Sequence, residues 1–275
     1  MLNRKFLPAI LIFGLVAAGC GSPQPQASVS TTTTTSEVTT TTTSTTTTAP
    51  PGVVPAVGIK SYVTSLQSPN LIANISYPIL GGMASSGVQG AINSAIYDAV
   101  VGYVASFEKE LQNVAPSTTS PGGGNVSSQS QISGSFTKVL VDSHYVSFKF
   151  LIATYAVAAA SPTMEAESLN FDLATGKLMS LSDLFSGSTY LNTLASLARS
   201  AIASQLGPNA NQAFINSGTQ PNASNFAGWN LAGTGLELTF SQGDVAPMAS
   251  GVISVDIPLS QLSGIAINPG PLTNP

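Results

Sequence analysis

Fourteen of the eighteen residues from Thr31 to Thr48 are threonine, broken only by Ser36, Glu37, Val38 and Ser44, and Pro50-Pro51 closes the run. A stretch without apolar periodicity has nothing to bury and cannot repay the entropy of ordering its backbone. The tract therefore divides the chain. Whatever folds must be built after it, from Ala56 onward, and a length above 200 residues is enough for a core that needs no covalent staples. That matters because Cys20 is the only cysteine. The foldable part is also poor in charge: only 11 acidic and 6 basic residues lie between Ala56 and Pro275. Its surface must be made of Ser, Thr, Asn, Gln and Gly. With so few cations, nucleic acid held through its phosphates is not expected as a partner.

The N-terminus reads as an address. Arg4 and Lys5 precede an apolar core, Leu7–Ala17, and a small-residue exit. Pro8 and Gly14 interrupt that core, which falls short of the ~20 residues that a spanning helix needs. Ala17-Ala18-Gly19-Cys20 resembles the bacterial lipobox, although Leu is more usual at its first position. The expectation is cleavage before Cys20 and acylation of its thiol, with palmitate-type chains. The simpler alternative is a plain signal peptide with an incidental Cys. Residues 20–55 then form a disordered tether; as a coil, Ser22–Pro55 spans roughly 30 Å. The protein is placed on the outer face of the cell membrane, in the envelope, or partly secreted.

In the foldable part, Leu71–Tyr77 reads as a strand ending at Pro78. Val88, Ile92, Ile96, Val100, Tyr103, Val104, Phe107 and Leu111 recur at helical spacing. Glu108, Lys109 and Glu110 stand at the end of that helix, where the macrodipole favours a basic group. Pro116–Ser130 reads as a flexible loop. Strands follow at Gln131–Val141 and Tyr145–Ala158, the second with Val146, Phe148, Phe150 and Ile152 on one face. A second helix covers Thr189–Leu206 and stops at Gly207-Pro208. Short strands are expected near Phe226–Leu231, Leu236–Phe240 and Val252–Ile257. Helices and strands are segregated, which gives an α+β fold: a mainly antiparallel sheet packed with two main helices, in two small interlocked subdomains. The organisation expected is a signal peptide at 1–19, the lipidated tether at 20–55, a strand–helix subdomain with its loop at 56–130, an α+β subdomain at 131–264 and a tail at 265–275.

Several short motifs then occur in order. They are the apolar strand YVSFKFLIATYAVA from Tyr145, the N-x-D-x-x-T-G-K turn from Asn170 to Lys177, Leu181-Ser182-Asp183-Leu184-Phe185, GLELTF from Gly235, Gly243-Asp244-Val245-Ala246-Pro247 with Gly251, and Ile257-Pro258-Leu259-Ser260-Gln261-Leu262. Locally, Gly176 suits a positive φ in the turn and Ser182 suits a helix N-cap. This order resembles the extracytoplasmic domain shared by the lysozyme-sensing anti-sigma factor RsiV, the N-terminal region of the deacetylase PdaC and secreted mycobacterial immunogenic proteins. Ser61–Leu111 resembles the smaller module that precedes it. The resemblance implies an envelope domain that meets a lysozyme-like protein or a wall glycan. Two departures narrow it. About five residues precede the signal core, so no sigma factor is expected as a partner, and no deacetylase domain is expected after Pro275. Ala159-Ala160-Ser161-Pro162 also replaces the family's Gly-Ala-His-type turn.

Catalytic material is scarce. A metal site needs several His, Cys or carboxylate ligands; there is one His, and Glu165 with Glu167 is the main close acidic pair, sharing one face of a strand. No metal and no cofactor are expected. An ester hydrolase would have to use Ser161 with His144, the only available base, and no G-x-S-x-G elbow is present. Tyr155 and Glu165 are the remaining candidates for contact with a ligand. The function expected is therefore a lipid-anchored binding protein whose partners are the membrane, through Cys20, and a wall-active protein or peptidoglycan. The alternatives are the Ser161/His144 hydrolase and an immunogenic surface protein without a small-molecule site.

Overall fold

The computed structural model describes residues 52–113, 129–157 and 159–273. Residues 1–51, with Cys20, the Thr tract and the stretch read as a signal peptide, lie outside them, as does most of the Pro116–Ser130 loop. The fold is α+β, and the described residues form eight strands in two sheets and four helices. β1 (Ala56–Gln67) and β2 (Asn70–Gly81) form a hairpin, and helix α1 (Ser86–Asn113) follows. β3 (Ser130–Val141), β4 (Tyr145–Tyr155) and β5 (Thr163–Asp172) complete a five-stranded sheet in the order β1-β2-β3-β4-β5. Only β2 and β3 run parallel, because α1 carries the chain back between them. The sheet takes strands from both sides of residue 130.

Of the predicted stripe α1 buries Ile92, Ile96, Val100, Tyr103, Val104 and Phe107, joined by Ala99, while Val88 and Leu111 at its ends are only partly buried. They meet Leu71, Ala73, Ile75, Ile132, Val146, Phe148, Phe150 and Ile152 from the sheet. A side chain such as Phe148, fully buried, contributes about 1.5–3 kcal/mol through the area it removes from water. Asn93 pins the helix to the end of β2 by accepting from the Leu80 N–H at 2.7 Å and donating to the Leu80 carbonyl at 2.9 Å.

The second sheet has the order β6-β7-β8, from Trp229–Ala232, Gly235–Phe240 and Ile253–Pro258. Helix α2 (Tyr190–Leu206) packs on it through Leu194, Ala195, Ala198 and Ile202. Of two short helices, α3 (Gln212–Gly218) packs on α2, and α4 (Leu259–Leu262) lies against β7 and β8.

The sheets meet through polar groups. The Ser147 hydroxyl donates to Asn170 Oδ1 at 2.6 Å, and Asn230 Nδ2 donates to Ser147 Oγ at 2.9 Å. Asn170 Nδ2 donates to the Trp229 carbonyl at 2.8 Å, while its Oδ1 also accepts from the Leu231 N–H at 3.2 Å. Lys149 pairs with Glu237 at 2.7 Å beside this network. Buried polar groups are tolerated when each finds a partner, and this set does so across two sheets.

Several expectations change. β2 continues through Pro78 to Gly81, because β3 stops pairing with it at Ile75 and leaves an open edge where a proline is tolerated. β1 has no counterpart in the sequence reading, since the residues that touch the first core, Val57, Tyr62 and Leu66, are only partly buried and do not alternate at period two. α3 was not expected either. The first helical turn after the Asn170 motif is a short 3₁₀ turn, Leu181–Leu184, whose N-cap is Ser180 and not Ser182. The Ser180 N–H donates to Asp183 Oδ2 at 2.8 Å. The segment read as a tail packs on the second core: Ile267 N–H donates to the Leu184 carbonyl at 3.0 Å, and Ala266 and Leu272 are buried.

Candidate functional site

A cavity of about 740 Å³ opens where the end of α1, the start of β5, α3 and the loop after β7 converge. Among the described residues four carboxyl side chains line it, those of Glu110, Glu165, Glu167 and Asp244, and no Lys, Arg or His does. Thr163, Ser217, Thr239, Ser241 and Gln242 add uncharged polar groups, and Phe214 and Met248 give it an apolar side.

Each wall has a local cause. Glu165 and Glu167 pair with Ile152 and Phe150, whose side chains face α1, so the period-two alternation turns both carboxyls to that same face. Glu110 comes from the last turns of α1. The loop Ser241–Asp244 folds over the free edge of β5. Gln242 N–H donates to the Met164 carbonyl at 3.0 Å, Gln242 Oε1 accepts from the Met164 N–H at 2.9 Å, and Ser241 Oγ accepts from the Ala166 N–H at 3.0 Å. Asp244 Oδ2 accepts from the Ser241 N–H at 3.1 Å and closes the turn. At the cavity's back Gly228 lets two segments touch, since a Cβ there would overlap the Thr239 carbonyl oxygen.

The electrostatics follow from this assembly. Glu165 Oε2 is buried and has no hydrogen-bond partner among the described residues. Burial, then the charges of Glu110 and Asp244, raise the Glu165 carboxyl to about 7. Burial and the charge of Glu167 hold the Tyr103 hydroxyl well above its ordinary value. Near neutral pH the cavity can therefore take up one positive charge, either as a proton on Glu165 or as a cation from outside. Among the described residues no group of three or more His, Cys, Asp or Glu is placed to hold a metal ion.

The residues singled out in the sequence are not gathered. His144 is exposed before β4, its Nδ1 is 3.2 Å from Ser143 Oγ, and its N–H donates to Asp142 Oδ1 at 2.6 Å. Ser161 is exposed in the connection after β4. The length of β4, roughly 35 Å at ~3.3 Å per residue, separates them, which is far beyond proton transfer. Tyr155 lies at the Ser161 end but on the opposite face of the sheet from Glu165. Of the four candidate site residues only Glu165 belongs to the cavity, together with Glu167, the other member of its acidic pair. Glu110, Asp244 and Gln242 were not found in advance; the one hint was that acids stand at the end of α1, against its dipole. The Asn170–Lys177 motif is structural: Asn170 joins the sheets, Asp172 Oδ1 accepts from the Ala174 and Thr175 N–H groups, and Gly176 has a φ of 74°.

Residues 182–260 match a family model described as "Protein of unknown function (DUF3298)". The sequence matches none of the curated proteins. Two crystal structures of DUF3298 family members share the fold. One, from Bacteroides fragilis, has a TM-score of 0.56 at 15% identity, covering 78% of this chain and 95% of its own. The other, from Pseudomonas aeruginosa, has a TM-score of 0.51 at 13% identity, covering 77% and 95%. The second sheet with α2 and α3 thus carries a DUF3298 match, set within a fold that DUF3298 structures share.

Proposed function

We propose that this chain is a binding protein of the cell envelope, held on the outer face of the membrane by lipid on Cys20, whose cavity receives a basic side chain of a wall-associated, lysozyme-like protein. The observation that carries the reading is the cavity itself: four carboxyl groups, no base, and a buried oxygen of Glu165 without a partner. A neutral glycan offers nothing to offset those charges, whereas an Arg or Lys side chain would meet them with charge-assisted hydrogen bonds. The resemblance of the motif order to the RsiV and PdaC extracytoplasmic domains agrees with a protein ligand. The lipobox-like Ala17–Cys20 and the Thr tract suit a domain displayed in the wall layer.

Protonation of Glu165 and capture of a cation compete. Affinity should therefore rise as pH increases through about 7. The test is titration of the whole chain with lysozyme at low salt, beside a cationic protein of unrelated fold. Tenfold or more tighter binding of lysozyme at pH 8 than at pH 5.5 is expected, with that dependence flattened in Glu165→Gln. Equal binding of both cationic proteins, unchanged in Glu165→Gln and Glu110→Gln, would sink the proposal.

A further inference from the structure

β1 is the outer strand of the five-stranded sheet, and it is a long one, twelve residues with a continuous register on β2. Exposed edges are usually blunted by charges, prolines, bulges or short length. β1 has no proline, its pairing shows no register shift, and its only charge is Lys60. Ile59 and Val63 project from its outer face, 71% and 68% exposed. Those two side chains share a face because residues four apart in a strand without a register shift point the same way.

We infer that β1 is an interface between two copies of this chain, paired antiparallel with Ser61 opposite Ser61 of the second copy. The argument lies in the register. With Ser61 at the two-fold axis, Ile59 of each copy faces Val63 of the other, so both exposed aliphatics are covered in one step. Lys60 then falls opposite Tyr62, whose ring already packs edge-on against Tyr97 with centroids 6.1 Å apart, and the ammonium meets an aromatic face. A shift of one pair in one direction sets the two Lys60 charges directly opposite each other. The same shift in the other direction leaves Ile59 facing Ser65. Only the Ser61 register satisfies both the apolar pair and the single cation, which is why the occupant is a second copy and not an arbitrary strand. Antiparallel pairing also sends the segments before Ala56 away from opposite ends of the ladder, roughly 35 Å apart by the rise per residue. This inference does not depend on the acidic cavity.

The test is disulfide trapping in the whole chain carrying Cys20→Ser, so that the introduced thiol is the only one. In the inferred register the two Cα atoms at position 61 lie about 4.5–5.5 Å apart, within disulfide range, while those at position 65 lie roughly 27 Å apart. Ser61→Cys should oxidise to a covalent dimer at least tenfold faster than Ser65→Cys. Adding Val63→Lys to Ser61→Cys should slow that reaction at least tenfold. Sedimentation equilibrium of the unsubstituted chain should show a dimer that grows with concentration. Equal rates at 61 and 65 would mean random collision and overturn the register. A monomer up to about 1 mM, with no trapping at 61, would overturn the interface itself.

Discussion

The five-stranded sheet ends in two strands that are treated in opposite ways. On β5 the edge is occupied: Ser241 and Gln242 supply acceptors to the Met164 and Ala166 N–H groups, and the Gln242 N–H donates to the Met164 carbonyl. On β1 no described element covers the edge, and Ile59 and Val63 stand in solvent. The difference shows how one sheet can present two kinds of edge. An edge closed by a loop becomes the wall of a cavity, where side chains of α1, β5 and the loop converge. An edge left open keeps its backbone groups for another strand. Charge follows the same division, with four carboxyl groups around the closed edge and one lysine on the open one.

The largest effect is expected at the closed edge. The folded-state pKa of Glu165 is raised to about 7, above its unfolded value, so the folded chain holds that proton more tightly. For an acid this penalty is absent below the unfolded pKa, grows as pH rises through about 7, and is constant above it. Glu165→Gln keeps the shape of the neutral acid and removes the penalty. Urea denaturation should show the variant more stable than the parent by on the order of 2–3 kcal/mol at pH 8, the shift converted and discounted for partial exposure, with no difference near pH 4. A difference that stays flat from pH 4 to 8 would mean that Glu165 is not charged against its surroundings.

A smaller loss follows from opening that edge. Gln242→Ala removes the acceptor for the Met164 N–H and the donor that Gln242 Nε2 offers to the Met248 carbonyl at 2.8 Å. A cost of about 1–2 kcal/mol is expected in denaturation midpoints, because a partly buried N–H is left without a partner. An unchanged midpoint would show that water replaces the loop there and that the edge is not closed by Gln242.

How much of this could be read from the sequence depends on how local each feature is. The stripe from Ile92 to Phe107 and the alternation from Val146 to Ile152 repeat at the periods of helix and strand, and both were legible. The order of motifs from Asn170 to Leu262 pointed to the second half of the fold. It could not show that Asn170 bridges two sheets, since its partners Trp229 and Leu231 are distant in sequence. β1 was missed because an edge strand buries one face only partly, so its alternation is weak. The cavity was missed for the same physical reason at larger scale. Glu110, Glu165 and Asp244 meet only after β5 has been placed between α1 and the loop that follows β7.

The smallest effect on the monomer, and the sharpest contrast, is expected at the open edge. Ile59 is 71% exposed, so Ile59→Thr removes little buried area and keeps a β-branched side chain in the strand. At low protein concentration its denaturation midpoint should match the parent within about 0.5 kcal/mol. Pairing through β1 changes the comparison as concentration rises. A dimer that forms only from folded chains stabilises them by mass action, so the parent's midpoint should climb with concentration. In Ile59→Thr each copy loses an aliphatic contact with Val63 of the other, twice per dimer, and the climb should be reduced or lost. A destabilisation above about 1 kcal/mol at low concentration would place Ile59 inside a monomer contact instead. Equal climbs in both proteins would mean that association does not use this face, and the two edges of the sheet would then differ only in what covers them.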